Sequence, residues 1–182
     1  MVLSGVGKRY AVALFNAARA EDVLDQVYGD AVSFARVLKA ERSFKRFLES
    51  LQATSDEKKD LVVKVIGDRA SGLFVKFVLL LIDKKRMANY AEIEKAFEAL
   101  YDEERGIVEV ALVTAVPLDL ELERKAKATI EKRTGKTAKI VKRVDPGVIG
   151  GVIMIAGDQI IDGSIRNHLA EMRQELLALR VR

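Results

Sequence analysis

Residues 144–164 read Val-Asp-Pro-Gly-Val-Ile-Gly-Gly-Val-Ile-Met-Ile-Ala-Gly-Asp-Gln-Ile-Ile-Asp-Gly-Ser, and this stretch decides the fold of the second half of the chain. Two short runs, residues 152–155 and 159–161, are typical of β-strands, and the three residues between them suit a tight hairpin loop. Asp162 and Gly163 end the second run, and Ser164 can serve as the N-cap of a helix. The stretch therefore predicts a buried β-hairpin that leads into a terminal helix.

Turn residues open the same stretch. Pro146 fixes φ and Gly147 tolerates positive φ, so Asp145, Pro146 and Gly147 predict a turn. The adjacent Gly150 and Gly151 predict a bulge, or a close approach of two backbones, where the first strand begins.

Upstream of this stretch, residues 1–105 are predicted to be helical throughout. Apolar residues recur at three- and four-residue spacing in six segments, and Thr54 with Glu57 forms a capping box before the fourth. The fifth segment, residues 73–85, is apolar around most of its circumference and is basic in its last turn at Lys84 and Lys85. A short third segment carries Phe44, Phe47, Leu48 and Leu51. Short connections between six amphipathic segments predict a compact six-helix bundle.

A boundary is predicted near residue 105. Every aromatic residue lies at or before Tyr101, both prolines lie after it, and residues 102–106 are a charged run that ends in glycine. Residues 106–182 then read as strand, helix, strand, hairpin and helix, so the chain is predicted to be an α+β protein of two domains.

Alternation and capping residues locate the elements between the boundary and the hairpin. Residues 107–116 alternate as a strand does. Asp119 can cap a helix that ends at Gly135, with one apolar face, and a second strand follows it. The helix face carries Leu122, Ala126 and Ile130, and the second strand carries Ala138, Ile140 and Val144.

The composition describes an ordered protein without obvious reaction chemistry. The chain has 182 residues, of which 49% are hydrophobic and 32% charged, and it contains no cysteine. Its longest apolar run, residues 77–82, is far shorter than the ~18 residues that span a bilayer, so membrane association is expected only through partners. The single histidine, His168, has no second metal ligand of its kind, and no acid–base pair or cofactor motif is found. We therefore expect no catalytic residue, metal or cofactor.

The strongest charge feature is a basic segment between Arg124 and Arg143, in which Glu131 is the opposing charge. A solvated helix face and strand edge explain such a segment most simply. It would also suit an acidic helical partner or, as the alternative function, nucleic acid, although no aromatic residue is interleaved to stack bases.

The apolar fifth segment has two interpretations. A helix that is apolar nearly all round is normally the centre of its bundle. Alternatively, one stripe stays open as a groove for a partner helix, and the alanines of the first segment would leave room for its close approach.

Residues 145–169 also carry an ordered motif. It consists of Asp145, Pro146, Gly150 and Gly151, then Gly157 and Asp158, then Asp162, Gly163, Ser164 and Arg166. This motif resembles the C-terminal signature of the delta subunit of F-type ATP synthase, whose mitochondrial counterpart is the oligomycin-sensitivity-conferring protein. Residues 7–15 are similar to the first helix of that family, and residues 82–87 to its link between the fifth and sixth helices.

The resemblance implies a non-catalytic stator subunit that supports proton-driven ATP synthesis. In this family the N-terminal domain binds the N-terminal helix of an alpha subunit, and the C-terminal domain meets the C-terminal region of the b-subunit stalk. Members of the family thus lie at the cytoplasmic face of the inner membrane. They are attached to the membrane only indirectly, through their protein partners, and nucleic acid is not among those partners. Carried over, the alpha-binding residues are Tyr10, Ala13, Leu14 and Ala17 with Phe74, Phe77, Val78 and Leu81.

The predicted boundary can be tested by truncation. Residues 1–105 are expected to fold alone, since their six segments would share one core. Far-ultraviolet circular dichroism of this fragment should show a helical protein that melts in a cooperative transition. A gradual melt would place the boundary elsewhere.

Overall fold

The computed structural model of the chain describes residues 5–157 and 159–179, with side chains up to Gln174 in the last helix. The chain divides into two compact units, of which the first ends at Glu104 and the second begins at Arg105. The first unit is helical and the second contains a four-stranded sheet, so the predicted α+β class is confirmed.

Within the described residues, the first unit contains six α-helices. They are α1 (Gly5–Ala20), α2 (Leu24–Ala40), α3 (Arg42–Glu49), α4 (Ser55–Ile66), α5 (Gly72–Asp83) and α6 (Tyr90–Glu104). The predicted capping box opens α4, where Thr54 N donates to Glu57 Oε2 at 2.9 Å and Glu57 N donates to Thr54 Oγ1 at 3.3 Å. Hydrogen bonds from the Thr54 backbone and hydroxyl hold the pKa of Glu57 below its usual value.

An aromatic cluster around Phe34 forms the centre of this unit. The Phe34 ring meets Phe44, Phe74 and Tyr90 edge to face, with centroid distances of 6.2, 5.9 and 5.1 Å. Such pairs contribute about 0.5–1.5 kcal/mol each beyond the area they bury. The buried Tyr90 hydroxyl donates to the Ala31 carbonyl at 2.9 Å, so its polar end is satisfied inside the core.

The C-terminal end of α6 is fastened to the first two helices. Tyr101 stacks on Tyr28 with a centroid distance of 3.9 Å, and its hydroxyl donates to Asp25 Oδ1 at 2.8 Å. Arg19 Nε lies 3.3 Å from Glu104 Oε1. These contacts hold the last helical turn before the second unit begins.

Two expectations for this unit were wrong. Leu51 does not belong to α3, because the chain turns extended at Ser50 and leaves Leu51 almost fully exposed. Basic charge is absent from the last turn of α5, because the helix already ends at Asp83. Lys84 caps that helix, and Lys85 takes a left-handed conformation with φ of 55°.

The second unit is built on a mixed sheet with strand order β2-β1-β3-β4. Its elements are β1 (Ile107–Thr114), α7 (Leu120–Thr134), β2 (Thr137–Val144), β3 (Gly151–Ala156), β4 (Gln159–Ser164) and α8 (Ile165–Leu179). β1 and β2 are parallel and are connected through α7, whereas β3 pairs antiparallel with both β1 and β4.

The core of the second unit lies between α7 and one face of the sheet. Val110, Leu112 and Ala138 of the strands are buried there with Ile130 of α7. The predicted caps are confirmed, since Asp119 accepts from Glu121 N at 3.2 Å and Gly135 ends the helix in a left-handed conformation. Leu122 and Val144, which were expected on apolar faces, are instead more than half exposed.

The hairpin exists but is not buried. Ala156 pairs with Gln159, so the loop is shorter than the three residues expected. Asp158 lies outside the described residues. β4 also continues through Asp162 and Gly163 to Ser164 instead of stopping at Asp162. Because β4 is an edge strand with a sheet neighbour on one side only, its two isoleucines are exposed.

The turn before β3 forms as predicted but with a different left-handed residue. Pro146 begins a 3-10 turn, and Asp145 Oδ1 accepts from Gly147 N at 2.9 Å. The positive φ expected at Gly147 occurs at Ile149, with φ of 66°.

The predicted close approach of two backbones is confirmed at Gly151, whereas a carbon added to Gly150 would meet the end of a side chain. A Cβ on Gly151, whose φ is 83°, would overlap the Gly163 carbonyl oxygen across the hairpin. A Cβ on Gly150 would lie 2.7 Å from Ile165 Cδ1 at the start of α8. The backbones of β3 and β4 thus meet at Gly151, where an added carbon would overlap.

Replacing Gly151 by alanine should destabilise the second unit. Overlap adds to backbone strain, so we expect a loss of about 2–4 kcal/mol in the free energy of unfolding. Gly157→Ala is the matched control, because its φ is 58° with open space around it, and it should cost only about 1 kcal/mol. Amide hydrogen exchange of residues 151–164 measures both, and equal losses would refute the overlap.

Tyr90 should make the first unit sensitive to alkali. Burial raises the pKa of Tyr90 in the folded chain well above its usual value. The contribution of neutral Tyr90 to the free energy of unfolding is therefore complete below the pKa that Tyr90 has in the unfolded chain. It is lost as pH rises through the pKa that Tyr90 has in the folded chain. Tyr90→Phe should cost about 1 kcal/mol at neutral pH through the lost hydrogen bond, and this difference should shrink above about pH 10. Urea unfolding across pH, with Tyr10→Phe as control, measures it, and a constant difference would count against the assignment.

Candidate functional site

An open apolar groove of about 430 Å³ lies between α1 and α5. It is lined from α1 by Arg9, Tyr10, Ala13, Leu14 and Ala17, and from α5 by Leu73, Lys76, Phe77 and Leu80. On α5 the lining residues follow the spacing i, i+3, i+4 and i+7, and four of the α1 residues do the same. Each helix therefore contributes one continuous face to the groove.

Small side chains on α1 keep the groove open. Ala13 and Ala17 carry one side-chain carbon each, so α1 does not cover the facing surface of α5. Leu14 and Phe77 are buried and form the floor, while Leu80 remains 43% exposed at the edge. Apolar anchors spaced along one face of an added helix would fill such a groove.

The rim of the groove is cationic. Arg9 and Lys76 are both exposed, one on each lining helix, and no carboxylate belongs to the lining residues. Opposite charges across an interface favour association and fix the register of the partner. The groove is therefore complementary to an amphipathic helix that carries acidic residues beside its apolar anchors.

Part of the predicted alpha-binding set lines this groove. Tyr10, Ala13, Leu14, Ala17 and Phe77 lie along it. Phe74, Val78 and Leu81 do not, because they are fully buried in the core of the same unit. Those three residues are corrected from a partner surface to internal packing.

The groove residues that the sequence reasoning missed are Arg9, Leu73, Lys76 and Leu80. On α5 the missed residues lie on the face next to the one that carries the predicted residues Phe74, Val78 and Leu81. Apolar periodicity could not separate the two faces, since both are apolar. The charge of Lys76 was the available signal, because a lysine on an otherwise apolar helix marks its solvent side.

The motif residues in the second unit meet at the junction of the hairpin and α8. The Ser164 hydroxyl is buried and accepts from Asn167 N at 3.1 Å, which confirms the predicted N-cap. Hydrogen bonds from the Ser164 hydroxyl and backbone N–H hold the pKa of Asp162 below its usual value. Gly163 leaves room for the Val152 carbonyl, so the strands pack closely at this joint. Asp162, Gly163 and Ser164 also line an open depression of about 360 Å³ together with the first two turns of α8.

The remaining motif residues lie outside this joint, and Gly157 lies at the opposite end of the hairpin. Asp145 and Pro146 make the turn that enters β3, and Gly157 makes the hairpin loop. Arg166 is exposed on the first turn of α8. Asp158 lies outside the described residues.

The basic segment is better compensated than the sequence indicated. Lys125 lies 2.7 Å from Glu121, and Lys142 lies 2.9 Å from Glu123, in addition to a longer Lys127 contact with Glu131. Three carboxylates therefore oppose these cations where one was expected. This local neutralisation weakens the case for a nucleic-acid surface.

In residues 5–157 and 159–179, no cluster of three or more acidic, histidine or cysteine side chains is arranged to hold a metal ion. His168 is exposed, with Nδ1 3.9 Å from Glu171 Oε2. None of the helices in this part of the chain has the length and apolar content to cross a membrane.

Known proteins match this chain along nearly its whole length. The family model for the ATP synthase delta (OSCP) subunit matches residues 6–176. ATP synthase subunit delta of Syntrophus aciditrophicus is 36% identical over 177 residues, which is 97% of this chain and 98% of that protein. The subunit delta of Alkaliphilus oremlandii is 35% identical over 171 residues, covering 94% of this chain and 95% of the relative.

A solved structure has the same fold. A chain in the cryo-EM structure of the Toxoplasma gondii mitochondrial ATP synthase hexamer superposes with a TM-score of 0.74 at 26% identity. The match covers 96% of this chain and 98% of that one.

Proposed function

Because the chain belongs to the ATP synthase delta (OSCP) subunit family, we propose that it is a non-catalytic stator subunit that links the F1 head to the stalk anchored in Fo. The family match over residues 6–176 is the observation that carries this conclusion. Rotation of the central shaft applies torque to the head, and a stator must resist it. The chain therefore supports ATP synthesis by binding both parts tightly and by resisting deformation, and it catalyses no reaction itself.

The groove between α1 and α5 is proposed as the site for the N-terminal helix of an alpha subunit. Its apolar floor, alanine-lined wall and cationic rim suit an amphipathic helix with acidic flanks. In this proposal the six helices of residues 1–105 act as one bundle that supports the groove.

The second unit, residues 106–182, is proposed to bind the C-terminal region of the b subunit. A chain that holds head and stalk at once gains from multivalency, since the release of one contact leaves the other in place. The same arrangement puts the chain at the cytoplasmic face of the membrane, attached only through its partners.

A charge in the groove should weaken the first of these contacts. Phe77 is only 7% exposed, so a charge there would also disturb the core, whereas Leu80 is 43% exposed and suits the test. Leu80→Asp should weaken binding of an alpha-subunit N-terminal peptide by about 30-fold or more, because a carboxylate would be buried against apolar atoms. Isothermal titration calorimetry of the full chain measures the change.

Val63→Asp is the matched control for that experiment. Val63 is also an apolar helical residue and is 48% exposed, but it lies on α4 away from the groove lining. It should bind the peptide as the unchanged chain does. Equal affinities of Leu80→Asp and Val63→Asp, with circular dichroism unchanged, would remove the groove as the alpha site.

A further inference from the structure

The terminal helix α8 has an apolar seam with the spacing of a coiled coil. Successive apolar residues lie four, three, four and three positions apart, at Ile165, Leu169, Met172, Leu176 and Leu179. This alternation has a period of 3.5 residues, which keeps one stripe facing a partner helix along its length.

The seam is not covered by its own chain where its side chains are described. Ile165, Leu169 and Met172 are 50%, 55% and 49% exposed. From residue 165 to residue 174, only Asn167 is partly buried, and every other residue is exposed. An amphipathic helix normally buries its apolar face against its own core, whereas Ile165, Leu169 and Met172 of α8 remain in solvent.

Arginines flank the seam on one side. With Leu169 at heptad position a and Met172 at position d, Arg166 and Arg173 both fall at position e, and Arg180 follows in the sequence seven residues later. Arg166 and Arg173 are exposed. Residues at position e lie beside the seam and pair with charges on the facing helix, so they choose the partner.

We infer that α8 docks through this seam, in coiled-coil fashion, with a helix of the stalk chain that bears its own 3.5-residue apolar repeat and carboxylates facing Arg166 and Arg173. The inference rests on the proposed stator function for the identity of the partner. The surface itself follows from the repeat, the exposure of its residues and the charge beside it.

The charge pattern disfavours a second copy of this chain as the partner. In an antiparallel pair, position e faces position e, so arginine would meet arginine. In a parallel pair, position e faces position g, which holds His168 and Glu175 and supplies one carboxylate. A partner helix with carboxylates beside its apolar seam can form ion pairs with Arg166 and Arg173 in either the parallel or the antiparallel orientation.

A seam of about four turns is short, and isolated helices of this length are marginal in water. Docking on α8 would therefore be weak alone. It would be strengthened when the same chain is already held at a second contact.

The test compares two neighbouring aspartates in the full chain. Leu169→Asp puts a charge in the seam, and Ala170→Asp puts the same charge on the exposed outer side of the same helix. Binding of the soluble C-terminal region of the b subunit should fall by about 30-fold or more for Leu169→Asp and change less than about threefold for Ala170→Asp. The double variant Arg166→Glu/Arg173→Glu should weaken binding by about tenfold at low salt, with a smaller difference at high salt.

A second measurement does not depend on a disruptive variant. The chain contains no cysteine, so Met172→Cys and Ala170→Cys can each carry one environment-sensitive fluorophore without background labelling. On addition of the b-subunit region, the Met172→Cys label should move to an apolar environment, and the Ala170→Cys label should not.

The outcomes separate this inference from the stator function. Unchanged b-subunit binding in Leu169→Asp, or equal responses of the two labels, overturns the seam but leaves the stator function standing. Binding of α8 to anionic vesicles in place of the b-subunit region also overturns it. If the unchanged chain binds neither the alpha peptide nor the b-subunit region, the proposed function fails as well.

Discussion

The close approach of β3 to β4 at Gly151 is the constraint on which the second unit depends. The Gly163 carbonyl occupies the space of a missing side chain at Gly151, and next to it Ile165 N donates to the Gly150 carbonyl at 3.0 Å. The strand pairing and the first turn of α8 are thereby fixed together. Over residues 165–174, where its side chains are described, α8 is exposed except at Asn167, so this joint gives the helix its direction. The motif that identifies the family in sequence is thus the part of the molecule that sets the direction of the terminal helix.

The two units cover their apolar surface to different degrees. The first has an extensive core around Phe34, and an apolar groove lies where α1 carries alanines. The second has a small core between α7 and one face of the sheet, and much of its remaining apolar surface is exposed on β4 and α8. A domain of fewer than 80 residues can bury only a limited core, so apolar residues beyond that core are available to partners. This asymmetry agrees with a protein whose task is attachment.

Local signals predicted much of the fold. The capping box at Thr54, the Asp119 cap, the Gly135 terminus and the paired glycines each depend on neighbouring residues, and all are present in the structure. The failures concern long-range information. The exposure of β4 depends on strand order, which alternation within one strand does not contain, and the groove face of α5 depends on which helix packs opposite. Ile149 is a failure of another kind, because a β-branched residue at positive φ opposes its own preference and is imposed by the surrounding turn.

The contacts that hold the end of α6 can pass a pulling force from the backbone to the first two helices. Any force that reaches Arg105 along the backbone passes first into Glu104, which is paired with Arg19 on α1, and then into Tyr101, which is stacked on α2. Helix termini ordinarily fray first, and a frayed turn would lengthen under tension. Here unwinding as far as Tyr101 would break the Arg19–Glu104 ion pair and separate two stacked aromatic rings, so α1 and α2 both help to hold the end of α6. A connector that must not stretch is thus reinforced at its most vulnerable turn.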